Sequence, residues 1–129
     1  MKPQDFVQLT TCTRDELFDH TNPVQNFQFN EHVTRVFPDM ISRSVPAYWE
    51  IVDGIGLISK HFIRPNTFVY DLGTSLGAVA WSLFVHTQQP IIAIDSSLAM
   101  ISQFQRNLDA LQEEVPITPV QADITKYPI

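Results

Sequence analysis

The stretch that decides the fold is Thr67–Gly77, which reads TFVYDLGTSLG. Its first four residues are β-branched or aromatic, and such side chains favour a strand. The strand leads to a carboxylate, Asp71, and then to a turn at Gly73, where glycine permits tight backbone geometry. We therefore predict a buried strand that brings Asp71 to its carboxyl-terminal edge, followed by a helix over residues 76–85 that opens with small residues.

Two further strands are predicted downstream. The apolar run Pro90–Asp95 also ends on an aspartate, and a run of this length is typical of a strand buried on both faces. A third strand is predicted over Ile117–Gln121, just before Asp123. Between them, Ser96 and Ser97 are expected to cap a helix running to about residue 111. Its predicted inward residues, at helical spacing, are Met100, Ile101, Phe104 and Leu108. The order βαβαβ predicts an α/β fold with a parallel sheet.

The segments before the first strand give weaker signals. Residues 1–28 are polar, and we expect a flexible lead-in with one short helical turn over residues 14–18. Apolar residues at helical spacing from Phe29 onward predict a short helix that Pro38 stops or bends. Ser44 is then expected to cap a helix of about four turns. The residues expected on its inward face are Tyr48, Ile51, Val52, Ile55, Ile58 and Phe62.

Composition limits the classes of function. The 129 residues suit one domain, and the net charge of −6 with scattered basic residues argues against nucleic-acid binding by this segment. The single cysteine, Cys12, excludes an internal disulfide. No apolar run approaches the ~20 residues that span a bilayer. We also expect no signal peptide, because the first residues lack an apolar stretch. The lone cysteine is typical of a reducing compartment, so we expect a cytoplasmic protein. The four histidines lack metal-ligand spacing, so we expect no metal site.

Three strand ends carry the aspartates Asp71, Asp95 and Asp123, which a parallel sheet would place along one rim. The turn departs from the dinucleotide pattern because Ser75 stands where a second glycine would be. Such a turn suits a nucleoside with an uncharged or cationic tail. Asp95 lies about 20 residues beyond the turn. At this spacing an acidic side chain accepts hydrogen bonds from ribose hydroxyls in nucleotide-binding folds. The pattern therefore favours a nucleoside site with ligand-positioning carboxylates, against the alternative of a glycine turn and helix-capping aspartates with only a structural role.

Specific segments resemble one enzyme family. From Phe29 to about Tyr127 the chain is similar to the carboxy-S-adenosyl-L-methionine synthases, which are related to class I methyltransferases and imply a Rossmann-like fold. The most diagnostic segments are Val36–Ile41, which reads VFPDMI, and Arg43–Pro46, which reads RSVP, with Tyr48 after it. The matching strand segments and their following turns or helices lie within residues 69–78, 91–101 and 123–124.

The resemblance implies a carboxyl-transferring enzyme that uses S-adenosyl-L-methionine and prephenate. Its products would be carboxy-S-adenosyl-L-methionine and phenylpyruvate, the first used in wobble-uridine modification of tRNA, and the family implies a homodimer. No catalytic residue is assigned. The ligand-binding positions, taken from the resemblance and from the strand ends, are Tyr48, Asp71, Gly73, Thr74, Ser75, Asp95, Ser96, Met100, Asp123 and Ile124. Of these, Tyr48 would meet the amino-acid or carboxymethyl end, residues 73–75 the methionine part, 95–96 the ribose and 123–124 the adenine.

Two departures from the family pattern bear on activity. Thr74 stands where the family has cysteine, a change that keeps a small side chain. Family enzymes also continue for roughly as many residues again, and that part carries an arginine for the added carboxylate. We therefore expect residues 29–129 to form the N-terminal half of the domain, inactive by itself. The alternatives are an ordinary S-adenosylmethionine-dependent methyltransferase and a non-catalytic ligand-binding remnant or partner module with an open third-strand edge.

Overall fold

A computed structural model describes residues 1–10 and 30–129. Five helices and three strands follow one another in this part of the chain. In order they are α1 (Pro3–Val7), α2 (Glu31–Ser44), α3 (Tyr48–Ser59), β1 (Val69–Leu72), α4 (Ala78–Thr87), β2 (Ile91–Asp95), α5 (Leu98–Asp109) and β3 (Ile117–Gln121). Among these residues no helix is both long and apolar enough to cross a membrane.

The sheet is parallel, with the order β1-β2-β3. Val69 of β1 is opposite Ile91 of β2, which in turn is opposite Ile117 of β3. This confirms the predicted α/β class, and the arrangement is consistent with part of a Rossmann-like fold. β3 has the predicted bounds, and the other two strands begin within two residues of them. All three carboxyl ends lie at one edge of the sheet.

The core lies between the sheet and helices α1, α4 and α5. Phe6 of α1 is fully buried, and its ring stacks on Trp81 of α4 with 4.5 Å between centroids. It also meets the Phe104 ring of α5 edge to face at 5.7 Å. On α5, the predicted inward residues Met100, Ile101, Phe104 and Leu108 are all buried. The helical spacing therefore predicted this part of the core correctly.

Helix α1 was not predicted from the sequence, and its packing differs from the flexible lead-in expected for residues 1–28. The Trp81 Nε1 atom donates a hydrogen bond to the Met1 carbonyl at 2.8 Å. Asn107 Nδ2 donates to the Val7 carbonyl at 3.2 Å. These two bonds fix both ends of a five-residue helix that would be marginal alone. The turn expected over residues 14–18 lies outside the described residues.

Pro38 was expected to stop or bend this helix, and the stop is wrong, because α2 continues through Pro38 to Ser44. A proline inside a helix removes one backbone hydrogen bond, but that loss is local. The start of α2 is secured by Asn30, whose side chain accepts from the Val33 amide at 3.0 Å. Val33, Val36 and Pro38 itself are buried, so tertiary packing outweighs the missing bond.

The predicted start and inward face of α3 are also wrong. Ser44 ends α2, and the residue that caps α3 is Ala47, with a left-handed φ of 55° and no side-chain cap bond. Of the six residues expected to face inward, only Val52 is buried. The reason is Gly56, which packs so closely on α4 that an added Cβ would overlap the side chain of Ser82. Glycine lets the two backbones approach, and this contact turns the larger apolar residues of α3 outward.

Candidate functional site

The turn between β1 and α4 is held against the end of β2. The backbone amides of Gly73 and Thr74 both donate to the Ile94 carbonyl, at 2.8 and 2.9 Å. The amide of Ser75, which has a left-handed φ of 52°, donates to Asp95 Oδ2 at 2.9 Å. The turn is therefore joined directly to Asp95, 20 residues later in the chain. The sequence spacing had predicted that the two lie along the same edge of the sheet.

Asp95 is half-buried at the junction of two turns. Its Oδ2 accepts from Ser75, and its Oδ1 accepts from the Ser97 amide at 2.9 Å. Ser97 in turn caps α5 by accepting from the Met100 amide at 3.2 Å. Each carboxylate oxygen has two lone pairs, so both retain one for a further donor. The Asp95 side chain is thus fixed in orientation and can still accept hydrogen bonds from two hydroxyl groups.

Asp71 faces inward beneath the turn. Thr74 Oγ1 donates to its Oδ2 at 2.7 Å. Burial raises the pKa of Asp71 above its ordinary value, and the Thr74 hydrogen bond offsets part of that rise. Burial also raises the pKa of the Tyr48 hydroxyl, and the negative charge of Asp71 adds to the effect. A neutral tyrosine and a partly desolvated carboxylate therefore lie near each other below the rim.

Asp123 lies past the end of β3 and is exposed. Its Oδ1 accepts from both the amide and the hydroxyl of Thr125, at 2.9 and 2.6 Å. The hydrogen bond from the Thr125 side chain is the main cause that lowers the pKa of Asp123. The Ala122 amide donates to the Asp95 carbonyl at 3.0 Å, so this segment adjoins the end of β2. Ile124 beside it is 45% exposed.

A recess opens next to the turn. It has an empty volume of about 210 Å³, counting the part open to solvent. The cavity itself measures only about 10 Å³, which is room for about one water molecule and far below the roughly 300 Å³ at which small-molecule pockets begin. The recess is therefore a shallow depression on which one end of a ligand could rest. The rings of Tyr48 and Trp49 meet there edge to face, 4.8 Å apart. The lining residues are Val7, Phe37, Pro38, Ile41, Tyr48, Trp49, Thr74, Ser75, Leu76 and Ala78.

The two glycines of the turn have different surroundings. Both have a left-handed φ, 80° at Gly73 and 82° at Gly77. A Cβ at Gly77 would overlap the ring of Phe104, whereas a Cβ at Gly73 would meet nothing within 4 Å. Gly77 is therefore required by packing inside the protein. Gly73 is exposed and leaves its backbone face open at the rim, as a closely bound ligand would need.

The structure brings most of the predicted positions together. Tyr48, Thr74 and Ser75 line the recess, while the rim carries Gly73, Asp95, the exposed Ser96, Asp123 and Ile124. Asp71 lies below the rim, against Thr74. Met100 is different, because only 1% of it is exposed and it belongs to the core. Among residues 1–10 and 30–129, no group of three histidine, cysteine, aspartate or glutamate residues has the geometry of a metal site.

Several lining residues were missed by sequence reasoning. Val7 lines the recess because α1 packs on α3, α4 and α5. No local sequence pattern indicates that contact. The sequence resemblance included three residues of α2 to which it gave no role in the site: Phe37, Pro38 and Ile41. They line the recess because α2 continues past its proline. Trp49 was given no role in the site, although in the structure it packs against the core and also lines the recess. Its position after Tyr48 at the start of α3 was the one available signal.

Comparison with known proteins gives several relatives that share one name. No family model matches the chain. It is 50% identical over 108 residues to the carboxy-S-adenosyl-L-methionine synthase of Stutzerimonas stutzeri, a match covering 78% of this chain and 44% of that protein. The synthase of Vibrio parahaemolyticus is 42% identical over 109 residues, 82% of this chain and 44% of its own. The synthase of Pseudomonas putida GB-1 is 46% identical over 112 residues, a match covering 81% of this chain and 45% of that protein.

These matches confirm the resemblance found in the sequence. The chain spans somewhat less than half the length of these relatives. Identities of this size over about four fifths of the chain exceed what a shared fold alone requires. The protein is accordingly related to the carboxy-S-adenosyl-L-methionine synthase family, a family of enzymes, through a segment that corresponds to less than half of a synthase.

Proposed function

We propose that this chain provides the S-adenosyl-L-methionine-binding portion of a carboxy-S-adenosyl-L-methionine synthase. The observation that carries the proposal is the hydrogen bond from the Ser75 amide to Asp95. This bond joins the glycine turn to an aspartate at the position where an acid would bind ribose hydroxyls. Both lie beside the recess that Tyr48 and Trp49 line. The relationship to named synthases supports the same ligand.

The residues fit the parts of this ligand. The methionine portion would enter the recess beside Tyr48, along the open backbone face of Gly73 and past Thr74 and Ser75. The free lone pairs of Asp95, with Ser96, would accept the ribose hydroxyls. Asp123 and Ile124 would border the adenine, while Met100 would support the rim from the core. The ligand is cationic at its sulfonium, so the carboxylate of Asp71 below the turn favours it electrostatically.

The proposed reaction is a carboxyl transfer with prephenate as the carboxyl source. The methyl carbon of the sulfonium loses a proton and forms a bond to the ring carboxyl carbon of prephenate, whose bond to the ring breaks. The ring hydroxyl of prephenate leaves with that proton as water, and phenylpyruvate is the by-product. The added carboxylate requires a cationic or hydrogen-bonding partner in a partly desolvated site. None of the ten residues described as lining the recess is basic. We therefore propose that the arginine implied by the family comes from the part of a synthase that this chain does not span. Carboxy-S-adenosyl-L-methionine would accordingly bind this chain no better than S-adenosyl-L-methionine.

The family resemblance extends the proposal to the wider role. The product would serve the modification of the wobble uridine of tRNA, with no direct contact between this chain and nucleic acid. The protein would act in the cytoplasm, and the full-length enzyme would be a homodimer. Residues 29–129 would form one half of the ligand-binding domain.

The test is to join this chain at Ile129 to the C-terminal remainder of the S. stutzeri synthase and to assay phenylpyruvate from prephenate and S-adenosyl-L-methionine. The proposal predicts phenylpyruvate from the joined protein and none from the chain alone. A matched Asp95→Ala variant of the joined protein should be inactive. A folded joined protein that makes no phenylpyruvate would refute the proposed reaction, and methyl transfer without prephenate would favour an ordinary methyltransferase.

A further inference from the structure

Residues 1–10 pack across three helices, although their own helix is too short to be stable alone. α1 has five residues, and isolated helices of that length are marginal in water. It contacts α3, α4 and α5, and its residues Phe6 and Val7 are buried. The rest of the chain therefore holds this segment in place. We call residues 1–10 the strap.

A hydrogen-bond network on α5 holds the end of the strap. Asn107, which is fully buried, donates from Nδ2 to the Val7 carbonyl at 3.2 Å. Its Oδ1 accepts from the Thr10 hydroxyl at 2.7 Å and from Gln103 Nε2 at 3.1 Å. Gln103 is also buried. Its Nε2 donates to Thr10 Oγ1 as well, and its Oε1 accepts two bonds from Arg106, at 3.1 and 2.7 Å. Every nitrogen and oxygen of these two side-chain amides thus has a partner.

The network specifies one position of the strap on α5. Buried amides are costly unless their hydrogen bonds are made, and two of the partners, the Val7 carbonyl and the Thr10 hydroxyl, belong to the strap. Movement of the strap would leave Asn107 Nδ2 without its partner in the core. Apolar packing alone is non-directional, whereas these bonds have a defined geometry. The two amides therefore fix where the strap lies.

Val7 connects this network to the recess. Its carbonyl accepts from Asn107, and the residue lines the recess together with Tyr48 and Trp49. Because only 2% of Val7 is exposed, it supports the wall from within and offers little surface to a ligand. The two rings pack against the core cluster to which Phe6 and Val7 belong. The position of the strap therefore determines how this wall of the recess is supported.

We propose that the strap completes the part of the site that receives the methionine end of the ligand. Asn107 and Thr10 are positioning residues for that end, because they hold Val7 and are not among the residues that line the recess. A recess that is complete only when the strap is docked binds its ligand in proportion to the docked fraction. By linkage, a ligand in the recess favours docking by the same factor. The inference rests on the proposed ligand and assigns a role to residues outside the strand-end turns.

The ribose end of the ligand should not depend on the strap. Asp95, which we assign to the ribose, is oriented by the amides of Ser75 and Ser97, and neither of these belongs to the strap. Loosening the strap should therefore weaken a ligand that carries the methionine end and leave a ligand without that end unaffected. A strap that only stabilises the fold would affect both ligands equally.

The first arm of the test is calorimetric titration of the full chain with S-adenosyl-L-methionine and with methylthioadenosine, an adenosine thioether that lacks the amino-acid end. Asn107→Leu removes the donor to Val7 and the acceptor of Thr10 while keeping an uncharged side chain of similar size. Thr10→Val removes one hydroxyl at an exposed position. The matched control is Gln105→Ala, an exposed residue of α5 that bonds to Asp109. Thermal unfolding establishes that each variant is folded.

The two strap variants should have graded effects. Asn107→Leu should weaken S-adenosyl-L-methionine binding by about tenfold, the equivalent of about one lost hydrogen bond, and Thr10→Val by a smaller factor. Neither should change methylthioadenosine binding by more than about twofold, and Gln105→Ala should change neither ligand.

The second arm is hydrogen exchange of the wild-type strap. The amides of Asp5, Phe6 and Leu9 are hydrogen bonded within the strap, so their exchange reports its opening. With each ligand at about 100 times its Kd, S-adenosyl-L-methionine should slow exchange of these amides by up to about 100-fold, and methylthioadenosine should slow it much less.

Equal slowing by the two ligands, or equal loss of both affinities in Asn107→Leu, would overturn the proposal and leave the strap as a structural element. Unchanged S-adenosyl-L-methionine binding in a folded Asn107→Leu variant would also overturn it. A folded wild-type chain that binds neither ligand would refute the proposed function, and the role of the strap in the site with it. A chain that binds S-adenosyl-L-methionine with no change in strap exchange would refute the role of the strap alone.

Discussion

The two left-handed glycines of the turn allow stability and ligand binding to be separated. At Gly77, replacement by alanine forces a side chain into a left-handed φ of 82°, which costs about 1–2 kcal/mol. The new Cβ also overlaps the Phe104 ring, which is fully buried. Overpacking of this kind costs about 1–3 kcal/mol. Gly77→Ala should therefore lower the free energy of unfolding by about 2–5 kcal/mol, out of a total of roughly 5–15 kcal/mol for a domain.

Gly73→Ala is the matched comparison. The backbone φ is nearly the same at 80°, but the new Cβ meets nothing within 4 Å. Only the conformational cost of about 1–2 kcal/mol applies. The methyl group would, however, project into the space that we assign to the ligand. Gly73→Ala should thus unfold at a urea concentration much closer to wild type than Gly77→Ala does, and yet bind S-adenosyl-L-methionine far more weakly.

The assay is urea unfolding followed by fluorescence, with ligand titration of each variant below its transition. Gly54→Ala is a second control, because Gly54 lies within α3 and a Cβ there meets nothing. Alanine there should stabilise the chain by up to about 1 kcal/mol. Equal losses of stability in Gly73→Ala and Gly77→Ala would refute the packing argument. Undiminished ligand binding by a folded Gly73→Ala variant would refute the assignment of the open face to the ligand.

Two further predictions concern the core and the rim. Phe6→Ala should lower the free energy of unfolding by about 3–5 kcal/mol, because Phe6 is fully buried between two aromatic rings; Phe62→Ala, at a residue 75% exposed, should change it by less than about 0.5 kcal/mol. A comparable loss in both variants would contradict the packing of α1. Asp71 has a raised pKa in the folded chain, so the unfolded chain releases this proton first and stability should fall as pH rises from the ordinary carboxyl pKa to the raised one. Asp71→Asn should remove that fall; wild-type and variant stabilities that run parallel between pH 3 and 7 would contradict it.

The strands and the rim were predictable because their signals are local. Each strand is a short apolar run followed by an aspartate, and a parallel sheet must bring such ends to one edge. The capping role of Ser97 and the inward residues of α5 followed from helical spacing in the same way. The 20-residue spacing predicted that the turn and Asp95 lie near each other. The direct hydrogen bond from Ser75 depends on the left-handed backbone conformation of that residue, which the sequence does not indicate.

The features that were missed depend on distant contacts. α1 is stabilised by Trp81 and Asn107, about 80 and 100 residues away along the chain. The inward face of α3 is chosen by the close approach of Gly56 to Ser82, not by its largest apolar side chains. α2 passes through Pro38 because that proline is itself buried. In each case tertiary packing outweighs the local preference, and part of the recess results from the same contacts.

The measurement that tests the central claim most directly is calorimetric titration of the full chain with S-adenosyl-L-methionine and S-adenosylhomocysteine. Asp95→Ala is compared with Asp109→Ala, an exposed carboxylate at the far end of α5. Thermal unfolding of each variant establishes that it is folded. The account predicts saturable binding by the wild-type chain and by Asp109→Ala, and loss of binding in Asp95→Ala. A folded wild-type chain that binds neither ligand, or a folded Asp95→Ala variant that binds as well as wild type, would contradict it.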